Sequence, residues 1–305
     1  MDDLKMQKQT LKKAYKKTKR KHITPWKILA IICAVVMIVS IPLSILLQKF
    51  DNTMAARFGG SFWKLQNEDA NAQYYTSDFN SAEEMVNYGL ALTQQVEAEG
   101  AALLMNNNNA LPLAADAKVS TFSSSSVNLV YGGTGSGSMS DQYDTVSLLD
   151  GMKEAGIETN ADLTKLYTDY RADRPVVGMW AQDWTLPEVP ADQYSDSLIS
   201  DAKSFSDEAV VVLTRVGGEG ADLPMNMKAE GITYENNSKD YEDFKDGESF
   251  LQLSQTERDM LDLVTKNFNK VTLVYNGANT FQFDFLNDYP QIKSVVWCPP
   301  AGQTG

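Results

Sequence analysis

Residues 28–47 (ILAIICAVVMIVSIPLSILL) run for 20 positions without one charged side chain, and no other feature constrains the chain as much. At about 1.5 Å of rise per residue, a helix of that length covers a hydrocarbon core of about 30 Å. Uncharged runs this long read as membrane spans, with a buried helix of a soluble core as the competing reading. Pro42 falls inside the run, where a membrane helix tolerates the kink it introduces.

Charge orients the span. Residues 1–27 hold ten Lys/Arg (Lys5, Lys8, Lys12, Lys13, Lys16, Lys17, Lys19, Arg20, Lys21 and Lys27) against Asp2 and Asp3. The positive-inside rule keeps that end cytoplasmic and puts Trp26 at the inner interface. A cleaved signal peptide would have an apolar core of about 7–15 residues and a shorter charged region. Met54-Ala55-Ala56 is a weak cleavage candidate, so an uncleaved anchor is the expectation. Of the chain's 27 Lys/Arg and 40 Asp/Glu, ten and two lie in residues 1–27, which leaves 17 against 38 beyond them, a net of −21. Such an acidic portion is ill suited to nucleic acid, whose phosphates need Lys and Arg. The basic tail reads as topogenic, with anionic lipid as a further contact.

The two cysteines, Cys33 in the span and Cys298 far beyond it, cannot pair with each other, so the outer portion is no disulfide scaffold. The single histidine, His22, lies in the tail. No Ser-His-Asp triad, Cys-His dyad or histidine-rich zinc site can therefore be built outside. No metal or cofactor is expected, and chemistry must come from carboxylates, Lys, Arg, Tyr or Ser.

Four segments follow: a basic tail (1–27), the span (28–47), a spacer (48–80, with Gly59-Gly60-Ser61, Phe62, Trp63, Tyr74 and Tyr75) and a domain from 81 to 305. Ser81 is placed to cap a helix over 82–99, with Met85, Tyr88, Leu92 and Val96 on one face and Gly100 ending it. Strands are expected at 118–122, 209–214, 271–275 and 292–297, and helices at 146–155, 163–170 and 195–205. Another helix starts at a Ser254/Glu257 capping box and runs to about 268. The uninterrupted run Ala209-Val210-Val211-Val212-Leu213-Thr214 is of the kind buried on both faces of a parallel sheet. The alternation predicts an α/β fold, a three-layer sandwich with a mostly parallel sheet, preceded by one transmembrane helix. Such sheets hold ligands in the loops beyond the strand C-terminal ends, here 217–222 and 276–279.

Three strings are candidates for chemistry. Tyr131-Gly132-Gly133-Thr134-Gly135-Ser136-Gly137-Ser138 lets backbone approach a neighbour closely, but serines stand at 138 and 140 where a dinucleotide motif needs its third glycine, and no P-loop lysine follows. It reads as a surface loop shaped against another domain. In Arg215-Val216-Gly217-Gly218-Glu219-Gly220-Ala221-Asp222 a carboxylate stands between glycines just after a buried strand. A general acid needs such exposure and reach, although an ordinary turn would look the same. Asn106-Asn107-Asn108-Asn109 ahead of Leu111-Pro112-Leu113 is a turn signal. Trp180, Trp184 and Tyr194 could stack on sugar rings or belong to the core.

Taken in order, these strings resemble the second domain of glycoside hydrolase family 3. Glu99-Gly100-Ala101-Ala102-Leu103-Leu104-Met105-Asn106 with Ala110-Leu111-Pro112-Leu113 is similar to its opening "EG-x-VLLKN…LPL", and Lys118–Phe122 to its first strand. Residues 131–138 resemble its "GGTGSGS" loop, 209–222 its "AIVVIGR…GEGAD" segment and 297–305 its "WxGxPGQ-x-G" segment, with Pro299 and Pro300 where glycine is commoner. The likeness covers about 82–305. It implies an α/β sandwich that supplies the general acid/base of a retaining β-glycosidase, with the nucleophile on a barrel domain. The position matching the acid/base is Glu219, while Arg215 and Asp222 flank it as substrate-binding or positioning residues. Met105 stands where the family has Lys. Fewer than 40 residues separate Leu47 from the sandwich, too few for a barrel of roughly 250 residues. The barrel is therefore expected after the sandwich or missing, and Gly305, inside a family motif, implies a truncated reading frame.

The resulting expectation is a single-pass, membrane-anchored fragment of a β-glucosidase-like enzyme, N-terminus inside and main domain outside, inactive alone. Its partners would be a β-glycoside or oligosaccharide, the bilayer through 28–47, and the missing barrel. The alternative is a non-catalytic extracytoplasmic module that binds glycan. A membrane sensor is a third reading, for which a 27-residue tail supplies no output module. Glucose, xylose and N-acetylglucosamine are not distinguished.

Overall fold

A computed structural model describes residues 2–50, 57, 77–139, 144–171, 175, 177–178 and 181–305. The 48–80 spacer other than 48–50, 57 and 77–80, the Met54-Ala55-Ala56 site, Trp180 and Ser140 lie outside the described residues. The chain divides into two units, 1–76 and 77–305.

In the first unit one helix, α1 (Asp2–Lys49), carries both the basic tail and the apolar run. Its 23-residue stretch Pro25–Leu47 reaches a mean hydropathy of 2.9 at its most apolar, long and apolar enough to cross a membrane. Pro25 marks the change from Lys-rich to apolar sequence, and Pro42 lies within the helix as well.

The second unit is an α/β sandwich. Helix α2 (Ala82–Gly100) begins where the Ser81 hydroxyl accepts the Glu84 N–H. Strand β1 (Ala102–Asn106) follows, then β2 (Lys118–Phe122), α3 (Leu148–Glu154), β3 (Glu158–Thr159) and α4 (Ala161–Arg171). The short pair β4 (Val177–Gly178) and β5 (Ala181–Gln182) precedes α5 (Asp196–Phe205), β6 (Glu208–Thr214), α6 (Gln255–Asn267), β7 (Lys270–Asn276) and β8 (Ile292–Cys298). Ser147, Ser195 and Ser254 cap α3, α5 and α6, and the Ser254/Glu257 capping box is formed in both directions. Each cap satisfies a backbone N–H that the first helical turn leaves free.

The six-stranded sheet has the order β1-β8-β7-β6-β2-β3. All pairs are parallel except β1 with β8, which the sequence pattern did not reveal. β6 is buried along nearly its whole length, as an uninterrupted apolar strand between two helical layers must be. Val211, Leu213, Leu273, Tyr275 and Val295 face a core that includes Leu163, Tyr167, Ile199, Met260, Leu261, Val264 and Phe268 from α4, α5, α6 and the residue after α6. Val119, Val210 and Val212 point the other way, onto Leu113, Leu148, Met152 and Ile157. That gives the three layers.

The register lines up one edge of the sheet. β6 and β7 pair from Glu208↔Lys270 to Thr214↔Asn276, and β7 ends opposite Cys298. Their C-terminal ends are flush, so the segments after Thr214, Asn276 and Cys298 leave side by side. The connection from β6 to α6, Arg215 to Ser254, has no helix or extended strand. It folds round its own small core of Trp184, Met227, Phe244 and Phe250, with Val177, Leu186 and Ala221. Long connections of this kind are uncommon in compact domains and tend to carry function. Helix α2 buries none of its residues: Met85, Tyr88, Leu92 and Val96 form the expected apolar face and stay largely exposed, with the Phe79 ring against Tyr88 at 5.3 Å.

Candidate active site

Glu219 stands at the tip of a tight turn. The Ala221 N–H donates to the Gly218 carbonyl at 3.1 Å, and Gly220 has φ +72°. A positive φ at the third turn position is the requirement of a type II turn, which glycine meets without strain. Ala221 is buried in the small core, so the base of the turn is fixed while Glu219 itself is exposed. Gln182 at the end of β5 holds the other side, its Nε2 donating to the Gly220 carbonyl at 2.8 Å.

The Gly-rich loop 131–138 packs on this turn. Ser136 donates both its backbone N–H (3.0 Å) and its hydroxyl (2.8 Å) to Oε2 of Glu219. These donors, the N–H foremost, hold the Glu219 carboxyl below the usual carboxylate range. The fit depends on glycine. A Cβ on Gly218 would lie 2.1 Å from Thr134 Oγ1 and 2.4 Å from its N, and a Cβ on Gly135 (φ +69°) would lie 2.7 Å from Glu219 Oε2. Two motifs that read as separate strings in the sequence are one interlocked pair.

Arg215 is not beside Glu219 at the surface. It is fully buried, and all five of its N–H groups are used. Nη1 and Nη2 make a bidentate pair with Glu257 at 2.8 and 2.7 Å, Nη1 also reaches the Thr214 carbonyl, Nη2 the Gln252 carbonyl, and Nε the Phe250 carbonyl. Its guanidinium lies over the Phe250 and Phe281 rings at 5.3 and 4.8 Å. It thereby ties the start of the 215–254 connection to its end. Any positioning of Glu219 by Arg215 acts through that backbone, since no donor is left for a substrate. Asp222 is exposed just after the turn.

Asn276 joins the neighbouring loops. Its Oδ1 accepts the Val130 N–H at 2.6 Å and its Nδ2 donates to the Pro299 carbonyl at 2.8 Å. Gly302 N–H in turn donates to the Tyr131 carbonyl at 2.8 Å. The loop that holds Glu219 is thus moored to the ends of β7 and β8. Tyr275 lies beneath, stacked on Phe281 at 4.7 Å, and burial pushes its hydroxyl up to about 12.

Sequence reasoning missed Glu188. It is buried at the end of β2, where Ser123 Oγ (2.5 Å), the Val189 N–H (2.9 Å) and the Ser124 N–H (3.2 Å) donate to it. Burial pushes its carboxyl up to about 7 against those donors. Trp184 and Tyr194, considered for sugar stacking, are core residues, with Trp184 edge-on to Phe250 at 5.0 Å and Tyr194 bonded to Tyr167 at 2.8 Å. The Asn cluster is a turn, as read: Asn106 brackets Leu111 with two hydrogen bonds, and Asn108 and Asn109 take positive φ. Among the described residues no group of three or more His, Cys, Asp or Glu could hold a metal ion.

Residues 101–305 match the sequence profile of the glycosyl hydrolase family 3 C-terminal domain. A "Beta-glucosidase" of Ruminococcus albus is 32% identical over 215 residues, 69% of this chain and 20% of that protein. Among solved structures, a β-glucosidase from Paenibacillus barengoltzii is similar at 29% identity and TM-score 0.54, over 70% of this chain and 21% of that one. β-Glucosidase 3B of Thermotoga neapolitana shares the fold at 24% identity and TM-score 0.54, over 72% and 28% of the respective chains. The chain spans about a fifth to a quarter of the length of the curated relatives it matches.

Proposed function

The chain belongs to glycoside hydrolase family 3 through that family's C-terminal domain, and on that premise we propose that Glu219 is the general acid/base of a retaining β-glycosidase acting on β-glycosides or oligosaccharides. The carrying observation is Glu219 itself: an exposed carboxylate on a turn whose base is buried, at the C-terminal edge of the sheet. In the first step the protonated Glu219 gives its proton to the glycosidic oxygen. In the second, the ionised Glu219 takes a proton from the attacking water. The partner nucleophile, about 5–5.5 Å away in a retaining site, lies on a barrel domain outside residues 1–305. Arg215 serves by anchoring the connection that bears the turn, and Asp222 is placed to meet substrate at the rim.

The apolar stretch Pro25–Leu47 supports a second part of the reading, a single-pass anchor with the Lys-rich end in the cytoplasm and the sandwich outside. Alkaline carbonate extraction and protease access on intact cells test it. An anchored chain stays in the membrane fraction and loses residues 77–305 to external protease.

One observation favours a non-catalytic glycan-binding module instead: Ser136 lowers the Glu219 carboxyl, whereas an acid catalyst works best near the operating pH. Hydrolysis separates the two. In the protein that carries the barrel, Glu219→Gln should cut turnover of substrates with poor leaving groups by about 100-fold or more, the range of general acid catalysis. Wild-type rates would leave the binding module as the reading.

A further inference from the structure

Glu219 is exposed, yet it does not hang free. Both Ser136 bonds converge on one oxygen, Oε2, with the N–H at 3.0 Å and the hydroxyl at 2.8 Å. The space beside it is made for it, since Gly135 lacks the Cβ that would sit 2.7–2.8 Å from the Glu219 side chain. The backbone underneath is pinned by Gln182 on one side and by the contact of Gly218 with Thr134 on the other. The part left free to move is the Glu219 side chain.

We propose that Ser136 is a positioning residue that docks the Glu219 carboxylate on the 131–138 loop through Oε2, so that Oε1 is the atom that gives and takes the proton. The reason is donor counting. Oε2 accepts both Ser136 bonds and a proton placed there would face the amide hydrogen of Ser136, whereas Oε1 accepts from neither donor and can carry it. Two donors on Oε2 favour the ionised carboxylate, the form that accepts a proton from water in the second step, and the acid of the first step keeps both bonds with its proton on Oε1. The lowered Glu219 carboxyl agrees with this geometry. This inference rests on the acid/base reading only for its catalytic consequence; the docking stands by itself.

The test starts with residues 1–305 in detergent and 13C-carboxyl NMR, with the Glu219 signal assigned by its loss in Glu219→Gln. Ser136→Ala removes the hydroxyl and should move the Glu219 titration upward, Ser136→Thr should restore it, and Gly135→Ala, which occupies the docking space, should move it further. Unchanged titration in both Ser136→Ala and Gly135→Ala, with amide spectra otherwise like wild type, overturns the docking. In the protein carrying the barrel, Ser136→Ala should carry the alkaline limb of kcat/KM upward with the same sign as the NMR shift; a limb that stays put overturns the link between docking and the catalytic proton. If the titration moves but Glu219→Gln hydrolyses normally, the acid/base reading falls and the docking remains. If Glu219→Gln is inactive and the titration does not move, the docking falls and the acid/base reading remains.

Discussion

Glu188 makes a prediction that can be worked from the structure alone. Its carboxyl rises from an ordinary 4.5 to about 7 on folding, because burial outweighs the donors of Ser123, Val189 and Ser124. Between these two values the folded chain binds a proton that the unfolded chain has lost. Stability then falls as pH rises through that window, and is flat in this respect above pH 7 and below 4.5. At 1.36 kcal/mol per unit, the window is worth about 3 kcal/mol. Glu188→Gln copies the protonated acid: its amide oxygen accepts from Ser124 and Val189 and its NH2 meets the Ser123 oxygen. The perturbation therefore removes the titration while keeping the bonds. The assay is urea unfolding of both proteins from pH 4.5 to 8, followed by near-UV dichroism of the buried aromatics. The difference in unfolding free energy, variant minus wild type, should climb by about 3 kcal/mol across the range, because every other titrating group cancels. Parallel curves would refute a buried Glu188 with a raised carboxyl, and a climb in the opposite direction would mean that hydrogen bonding dominates burial.

Arg215→Met should destabilise the chain by about 3–5 kcal/mol, because it strands the buried Glu257 carboxylate and three carbonyls. Arg215→Met with Glu257→Met should recover much of that loss in the same urea titrations, and a double variant as weak as the single one would contradict the ion-pair account. Gly218→Ala forces Thr134 off the turn and should cost about 1–3 kcal/mol, while Gly137→Ala, with open space round its Cβ position, should be near neutral. Thermal unfolding of the two variants in parallel checks this contrast.

What could be read from the sequence were features whose cause is local. Ser195 and the Ser254/Glu257 pair announce helix starts, and each cap forms. The Ala209–Thr214 run announces a doubly buried strand because its apolar side chains are continuous, and it lies inside the sheet. Glu219 stood out because glycines flank it. Features fixed by distant residues did not show. β1 has no alternation, its pattern being half exposed, and only its pairing with Trp297 and Val296 of β8 makes it a strand. Ser136 lies 83 residues from the carboxylate it holds. Glu188 sits between Pro187 and Pro190 and reads as loop, but the fold closes over it. Arg215 looked like a neighbour of Glu219, and the strand direction turned it inward onto Glu257. Helix α2 shows the opposite limit: its apolar face was legible, but the helix leaves that face largely exposed.

The central claim is that Glu219 donates and accepts the proton of glycoside cleavage. Glu219→Ala in the protein that carries the barrel, given an aryl β-glycoside whose leaving group needs no proton, tests it most directly when azide is added. A lost general base leaves the glycosyl-enzyme waiting, so azide should raise turnover and give the β-glycosyl azide with retained configuration. No acceleration and no azide product, with hydrolysis as fast as wild type, would contradict the assignment.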